Sequence, residues 1–107
     1  MVAAGSSNFP QSRRIVVVPE LRDSLAFTVT VAEGAGESRH RVTLSAGDAA
    51  GFSSHEPRHI VEAAMVFLLD REPKESILGA FDIGVIRRYF PEFDRAFLDY
   101  LARMADP

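Results

Sequence analysis

His55-Glu56-Pro57-Arg58-His59 satisfies the letter pattern H-E-x-x-H, in which two histidines one helical turn apart hold a zinc ion and the glutamate activates its bound water. That chemistry needs both imidazoles on one continuous helix. Pro57 stands against it, because a proline inside a helix clashes with the carbonyl four residues back and is tolerated only in the first turn. A helix through this segment must start near Ser54 to Glu56, so His55 falls at or before the cap, where the spacing is not enforced. No third ligand stands in a recognisable place, unless His40 at a strand end meets the helix start and joins His55 and His59 as a metal site. The plainer expectation is a pair of exposed histidines at a helix entrance, with His40 half-buried on one hydrogen bond.

A second pattern is a helix-turn-helix outline: Pro73 to Leu78, a turn containing Gly79, then Ile83 to Phe90 presenting Arg87 and Arg88. Charge weighs against it. Between Arg71 and Arg103, Arg71, Lys74, Arg87, Arg88, Arg95 and Arg103 are balanced by Glu72, Glu75, Asp82, Glu92, Asp94 and Asp99, a poor electrostatic footprint for phosphate. A reading helix of about two turns closed by Pro91 is also short for a groove. The run Asp70-Arg71-Glu72-Pro73-Lys74-Glu75-Ser76 sets carboxylates beside cations, the raw material of shifted pKa values. Arg71 and Lys74 with Arg87 and Arg88 therefore form the candidate surface for an anionic ligand or a partner. The alternative is a charged corner between helices, whose exposed pairs contribute about 1 kcal/mol or less. Gly34-Ala35-Gly36 precedes a strand, so it reads as a hairpin loop and not as a dinucleotide fingerprint. Phe81, Tyr89, Phe90, Phe93, Phe97 and Tyr100 could line a pocket, but at helical spacing in a small domain they are expected in the core, with both tyrosine hydroxyls at the surface.

The elements that position these residues follow from periodicity. Ile15 to Val18 is a β-branched run stopped by Pro19, which suggests a short or edge strand. Leu25 to Ala32 and Arg39 to Ser45 alternate. A hairpin with Glu33 to Ser38 as its loop would pair Ala32 with Arg39 and make one face of Phe27, Val29, Val31, Val42 and Leu44, with His40 at its open end. Gly47, Asp48, Gly51, Ser53 and Ser54 punctuate an expected linker. From Ile60 the period becomes helical, and the apolar residues through Leu69 cover more than half a helix surface, which predicts a central helix framed by Pro57 and Pro73. Ser53 and Glu56 have capping-box spacing, although Ser54 or Glu56 could cap instead. A short second helix from Pro73, a third from Ile83 to Phe90 capped by Asp82, and a last from Glu92 to Met104 burying Phe93, Phe97, Leu101 and Met104 complete the expectation.

The segment Phe67-Leu68-Leu69-Asp70-Arg71-Glu72-Pro73-Lys74-Glu75-Ser76-Ile77-Leu78, with Phe81-Asp82-Ile83 and Ile86-Arg87-Arg88-Tyr89-Phe90-Pro91-Glu92-Phe93 after it, resembles a family of small bacterial proteins that form a domain of unknown function. The resemblance implies no substrate, cofactor or catalytic residue.

With 107 residues, 47% hydrophobic and 25% charged, the chain can bury one modest core. The absence of cysteine excludes disulfides, thiolate metal sites and cysteine nucleophiles. A net charge of −3 disfavours nucleic acid and anionic membranes as partners. The first ten residues lack a secretory signal pattern, and no apolar run approaches the roughly 20 residues of a membrane span, so a cytoplasmic protein is expected. The fold expectation is α+β: residues 1–12 a disordered tail, then a single domain over 13–107. In that domain an N-terminal antiparallel hairpin or three-stranded meander packs against three or four C-terminal helices. The functional expectation is a non-catalytic protein-interaction or regulatory module without a cofactor, binding a protein partner or a second copy through its edge strand. The alternatives are a DNA-binding helix-turn-helix-like module, and a small metal-binding protein or enzyme using His55 and His59.

Overall fold

β-Branched and alternating residues form three consecutive antiparallel strands, β1 (Arg14–Pro19), β2 (Ala26–Glu33) and β3 (Gly36–Thr43). The computed structural model describes residues 13–105, with side chains through residue 103, so the expected tail and the expected burial of Met104 lie outside the described residues. Between β2 and β3 the loop is only Gly34-Ala35, with Gly34 at φ 61° and no positive φ at Ala35. That is the pattern of a type II′ hairpin turn, and it needs glycine at its first central position. The short turn corrects the expected register: Ala32 faces Glu37 instead of Arg39, Phe27 faces Val42, and Val29 faces His40. A shift by two residues leaves every side chain on its expected face.

The meander carries a fourth strand, β4 (Ala80–Asp82), parallel to β3, giving the order β1-β2-β3-β4 and a mixed α+β sheet instead of a purely antiparallel one. The connection from β3 to β4 holds two helices. α1 (Ala46–Gly51) replaces the expected linker, and it is started by Ser45, whose Oγ accepts from the Asp48 N–H at 3.0 Å. α2 (Pro57–Leu69) begins with proline at its first turn and Glu56 as a cap without a side-chain bond, so the capping box does not form. Pro73 then opens one 3₁₀ turn over Lys74–Ser76 where a second helix was expected. Gly79 leads into β4, so the first helix of the helix-turn-helix outline is not present. Asp82 caps α3 (Ile83–Tyr89) as expected, accepting from the Gly84 N–H at 2.9 Å, and α4 (Phe93–Ala105) follows Pro91.

One face of the sheet, including Phe27, Val29, Val31, Val42 and Leu44, joins the core with α2 at its centre. α2 buries residues around most of its circumference, because it lies against the sheet on one side and α4 on another. Phe67 meets Phe90, Phe93 and Tyr100 edge-to-face at centroid distances of 5.8, 5.0 and 5.5 Å. Each such pair adds about 0.5–1.5 kcal/mol beyond the area it buries. The opposite sheet face is open, with Thr28, Arg39 and Arg41 exposed.

Candidate functional site

α2 ends at Leu69 because Pro73 cannot continue it, and the chain turns back along the helix through Ile77 before entering β4. Ile77 is buried, whereas the next side chain, Leu78, is 51% exposed. The segment is pinned from the sheet: the His40 ring, buried in β3, bonds through Nδ1 to the Leu78 carbonyl at 2.7 Å and through Nε2 to Ser38 Oγ at 2.8 Å. Because a carbonyl only accepts, Nδ1 carries a proton, and in the neutral ring of that tautomer Nε2 accepts from the Ser38 hydroxyl. A serine and histidine bonded in this sense have the polarity of a nucleophile and its base. Neither lines the groove described next, and their visible role is to tie β3 to the 77–79 segment.

Between that segment, the end of α2, β4 and α3 lies a groove of about 360 Å³. Its apolar lining runs from the buried Leu68, Ile77 and Ile86 through the half-buried Phe81, Val85 and Phe90 to the exposed Leu78 and Tyr89. Tyr89 is 68% exposed. The polar side chains of the lining are Glu72, Ser76 and Tyr89, and of these only Glu72 is a carboxylate. Glu72 is half-buried, and its carboxylate has no cation partner among the described residues. The groove is thus an apolar slot with one uncompensated negative charge at its rim.

The four cations singled out in the sequence do not converge. The Arg71 guanidinium lies 3.6 Å from the Phe67 ring centroid and donates to Glu92 at 3.1 Å, to the Phe67 carbonyl and to the Tyr100 hydroxyl. Burial opposes its charge, yet the bonds to Tyr100 and Glu92 outweigh that and hold it more firmly protonated than an ordinary arginine. Tyr100 is buried with the core, as expected, and its hydroxyl reaches out to the exposed Asp70 carboxylate, donating at 2.5 Å. Lys74 is buried beside Gly36, where an added methyl group would approach Nζ to 2.9 Å, and its ammonium bonds Glu75 at 2.5 Å. That bond holds the Glu75 carboxyl below the usual glutamate range. Arg87 grips Asp48 through both terminal nitrogens at 2.9 and 3.2 Å and Asp94 through Nε at 2.6 Å. The bond to Asp48 does most to raise its pKa further, against a smaller opposing effect of burial. Arg88 is exposed on α3, without an ion pair among the described residues.

His55 lies in the turn before α2 and His59 within its first turns, the separation that Pro57 dictates. Among the described residues no three His, Cys, Asp or Glu side chains cluster as metal ligands. No described helix is long and apolar enough to cross a membrane. The groove itself is the feature that sequence reasoning missed. Phe81, Tyr89 and Phe90 line it, while Phe93, Phe97 and Tyr100 are buried in the core, and the helical spacing of these aromatics does not separate the two sets. No family model, curated protein or solved structure matches the chain, so the site is read from its own geometry.

Proposed function

We propose that the chain is a protein-interaction module whose α2–α3 groove accepts an amphipathic segment of a partner. Apolar side chains of that segment would lie on Leu68, Ile77, Phe81 and Val85, and a lysine or arginine beside them would meet Glu72. The observation that carries this reading is the combination of an unfilled apolar groove and an unpaired carboxylate on its rim. A volume of 360 Å³ falls at the small end of the range of about 300–1,000 Å³ in which proteins bind ligands. The exposed Leu78 and Tyr89 supply the large apolar and aromatic contacts that anchor interfaces. The charge of Glu72 gives direction, because an anionic rim favours a basic segment and repels an acidic one. A phosphate-bearing partner is disfavoured on the same surface: Arg87 already satisfies two carboxylates, which leaves Arg88 as the exposed, unpaired cation of α3.

The test is an NMR titration of isotopically labelled protein with two synthetic amphipathic helical peptides, one of leucine and lysine, the other of leucine and glutamate. The lysine peptide should shift the amides of Leu68, Ile77, Phe81, Val85 and Tyr89 and bind about tenfold more weakly to Glu72→Gln. The glutamate peptide should bind poorly to both. Shifts confined to Arg39 and Arg41 on the open sheet face, or binding that survives Val85→Asp, would sink the proposal.

A further inference from the structure

The two edges of the sheet differ in what they offer. β4 contributes three residues and runs directly into α3, whereas β1 is six residues long and pairs with β2 alone among the described strands. Ladder geometry fixes which backbone groups of β1 face outward. The Glu20 N–H donates to the Ala26 carbonyl at 2.8 Å in continuation of the β1–β2 register, so Arg14, Val16, Val18 and Glu20 bond inward to β2. The N–H and carbonyl groups of Ile15 and Val17 and the carbonyl of Pro19 therefore point to the open edge. Pro19 sits where its missing donor removes no bond within the sheet.

We infer that β1 pairs antiparallel with β1 of a second copy about a twofold axis through Val17, joining two sheets into one continuous sheet. In this register Val17 exchanges both backbone bonds with its counterpart, and each Ile15 N–H donates to the Pro19 carbonyl of the other copy. The reciprocal bond to each Ile15 carbonyl is missing because Pro19 has no N–H, so the pairing rests on four backbone bonds, two at Val17 and one from each Ile15. The side chains agree with the same register on the open face of the sheet. Val16, 44% exposed, meets Val18 of the other copy, itself 52% exposed. Arg14, which has no ion pair among the described residues, meets Glu20, whose carboxylate holds Arg41 at 2.7 Å and would then bridge two cations. Moving the axis to Val16 would set Arg14 against Val18 and leave the charges unmatched. An antiparallel pair of identical strands is self-complementary when its ends carry opposite charge, and Arg13-Arg14 and Glu20 supply that.

Two measurements on the full chain decide it. Sedimentation velocity from about 1 µM to about 1 mM should show a monomer converting to a dimer, and Val16→Lys, whose side chain is exposed in the monomer, should weaken that conversion about tenfold or more. Hydrogen exchange should show Val16 and Val18 amides protected at every concentration, with Ile15 and Val17 amides protected only where the dimer forms. A monomer throughout the range overturns the inference. So does a dimer in which Ile15 and Val17 exchange freely, since its interface lies elsewhere. Protection of Ile15 and Val17 in a dilute monomer overturns it too, because the chain would then cover its own edge.

Discussion

α2 presents apolar residues on two flanks, and only one of them is filled. Toward α4, Phe67 lies among Phe93, Tyr100 and Phe90, Phe93 stacks on Phe97 at 4.6 Å, and the seam is closed at its end by Arg71 on Glu92 and by Tyr100 on Asp70. Toward α3, Leu68 faces Phe81, Val85 and Ile86 across the open groove. Both flanks are apolar in composition, so hydrophobicity does not distinguish them. Helix length does: α4 has thirteen residues and lays a full face along α2, whereas α3 has seven, buries Ile83 and Ile86, and is ended by the approach to Pro91. A seam is sealed when the opposing element is long enough to bring large side chains and a polar latch together; otherwise the same kind of surface remains available to something else.

The largest effect should come from emptying the sealed flank. Phe67→Ala removes a ring in contact with three others and should destabilise the fold by about 3–5 kcal/mol, read from urea unfolding, with loss of the native state as the extreme result. An effect below about 1 kcal/mol would show that this flank is as loosely filled as the groove. Next in size is Arg87→Ala, which strands Asp48, only 16% exposed, and Asp94; a loss of about 1–3 kcal/mol is expected from the same measurement.

Acid should act on both flanks weakly. Glu92, lowered first by its own backbone N–H and then by Arg71, belongs to the sealed seam, and Glu75, lowered first by Lys74, belongs to the corner beside the groove. A carboxyl whose folded pKa lies below its unfolded value contributes stability that is complete above the ordinary value of 4.5 and is lost as pH falls through the folded one. The melting temperature should thus drop below pH 4.5, and Glu92→Gln should reduce that pH dependence at the cost of a lower plateau. The smallest change is expected at the open flank: Leu78→Ser and Tyr89→Ser should leave stability within about 0.5 kcal/mol while weakening peptide binding. If either destabilises the fold by as much as the Arg87 variant, the groove is part of the core and the comparison fails.

Much of this architecture was legible in local chemistry. Alternation marked β2 and β3, Pro57 placed the start of α2, and Asp82 announced α3. The hairpin register was not legible from alternation, because any even shift keeps the same faces; the two-residue turn decided it. α1 escaped notice since Ala46-Gly47-Asp48-Ala49-Ala50-Gly51 has no apolar period, although Ser45 three residues before Asp48 was a capping signal. β4 has no local signal, since three residues become a strand only by pairing with β3. The groove was hidden for a related reason. Whether Phe81 or Tyr89 lines a cavity depends on how far α3 runs, and spacing along the chain does not encode the gap between helices.

Asp82 closes one long loop of the chain, accepting from the Thr43 hydroxyl at 2.8 Å across 39 positions while also capping α3. Contacts that close so long a loop are slow to form and are rewarded only after α1 and α2 have settled, so the β4–α3 unit should join late in folding. By the same reasoning it should detach first in brief excursions from the native state, since a three-residue strand holds it to the sheet. One wall of the groove is therefore the unit that Asp82 ties to β3 and that Ile83, Ile86 and Arg87 tie to the rest of the fold, and the width of the groove should follow how often those ties open together.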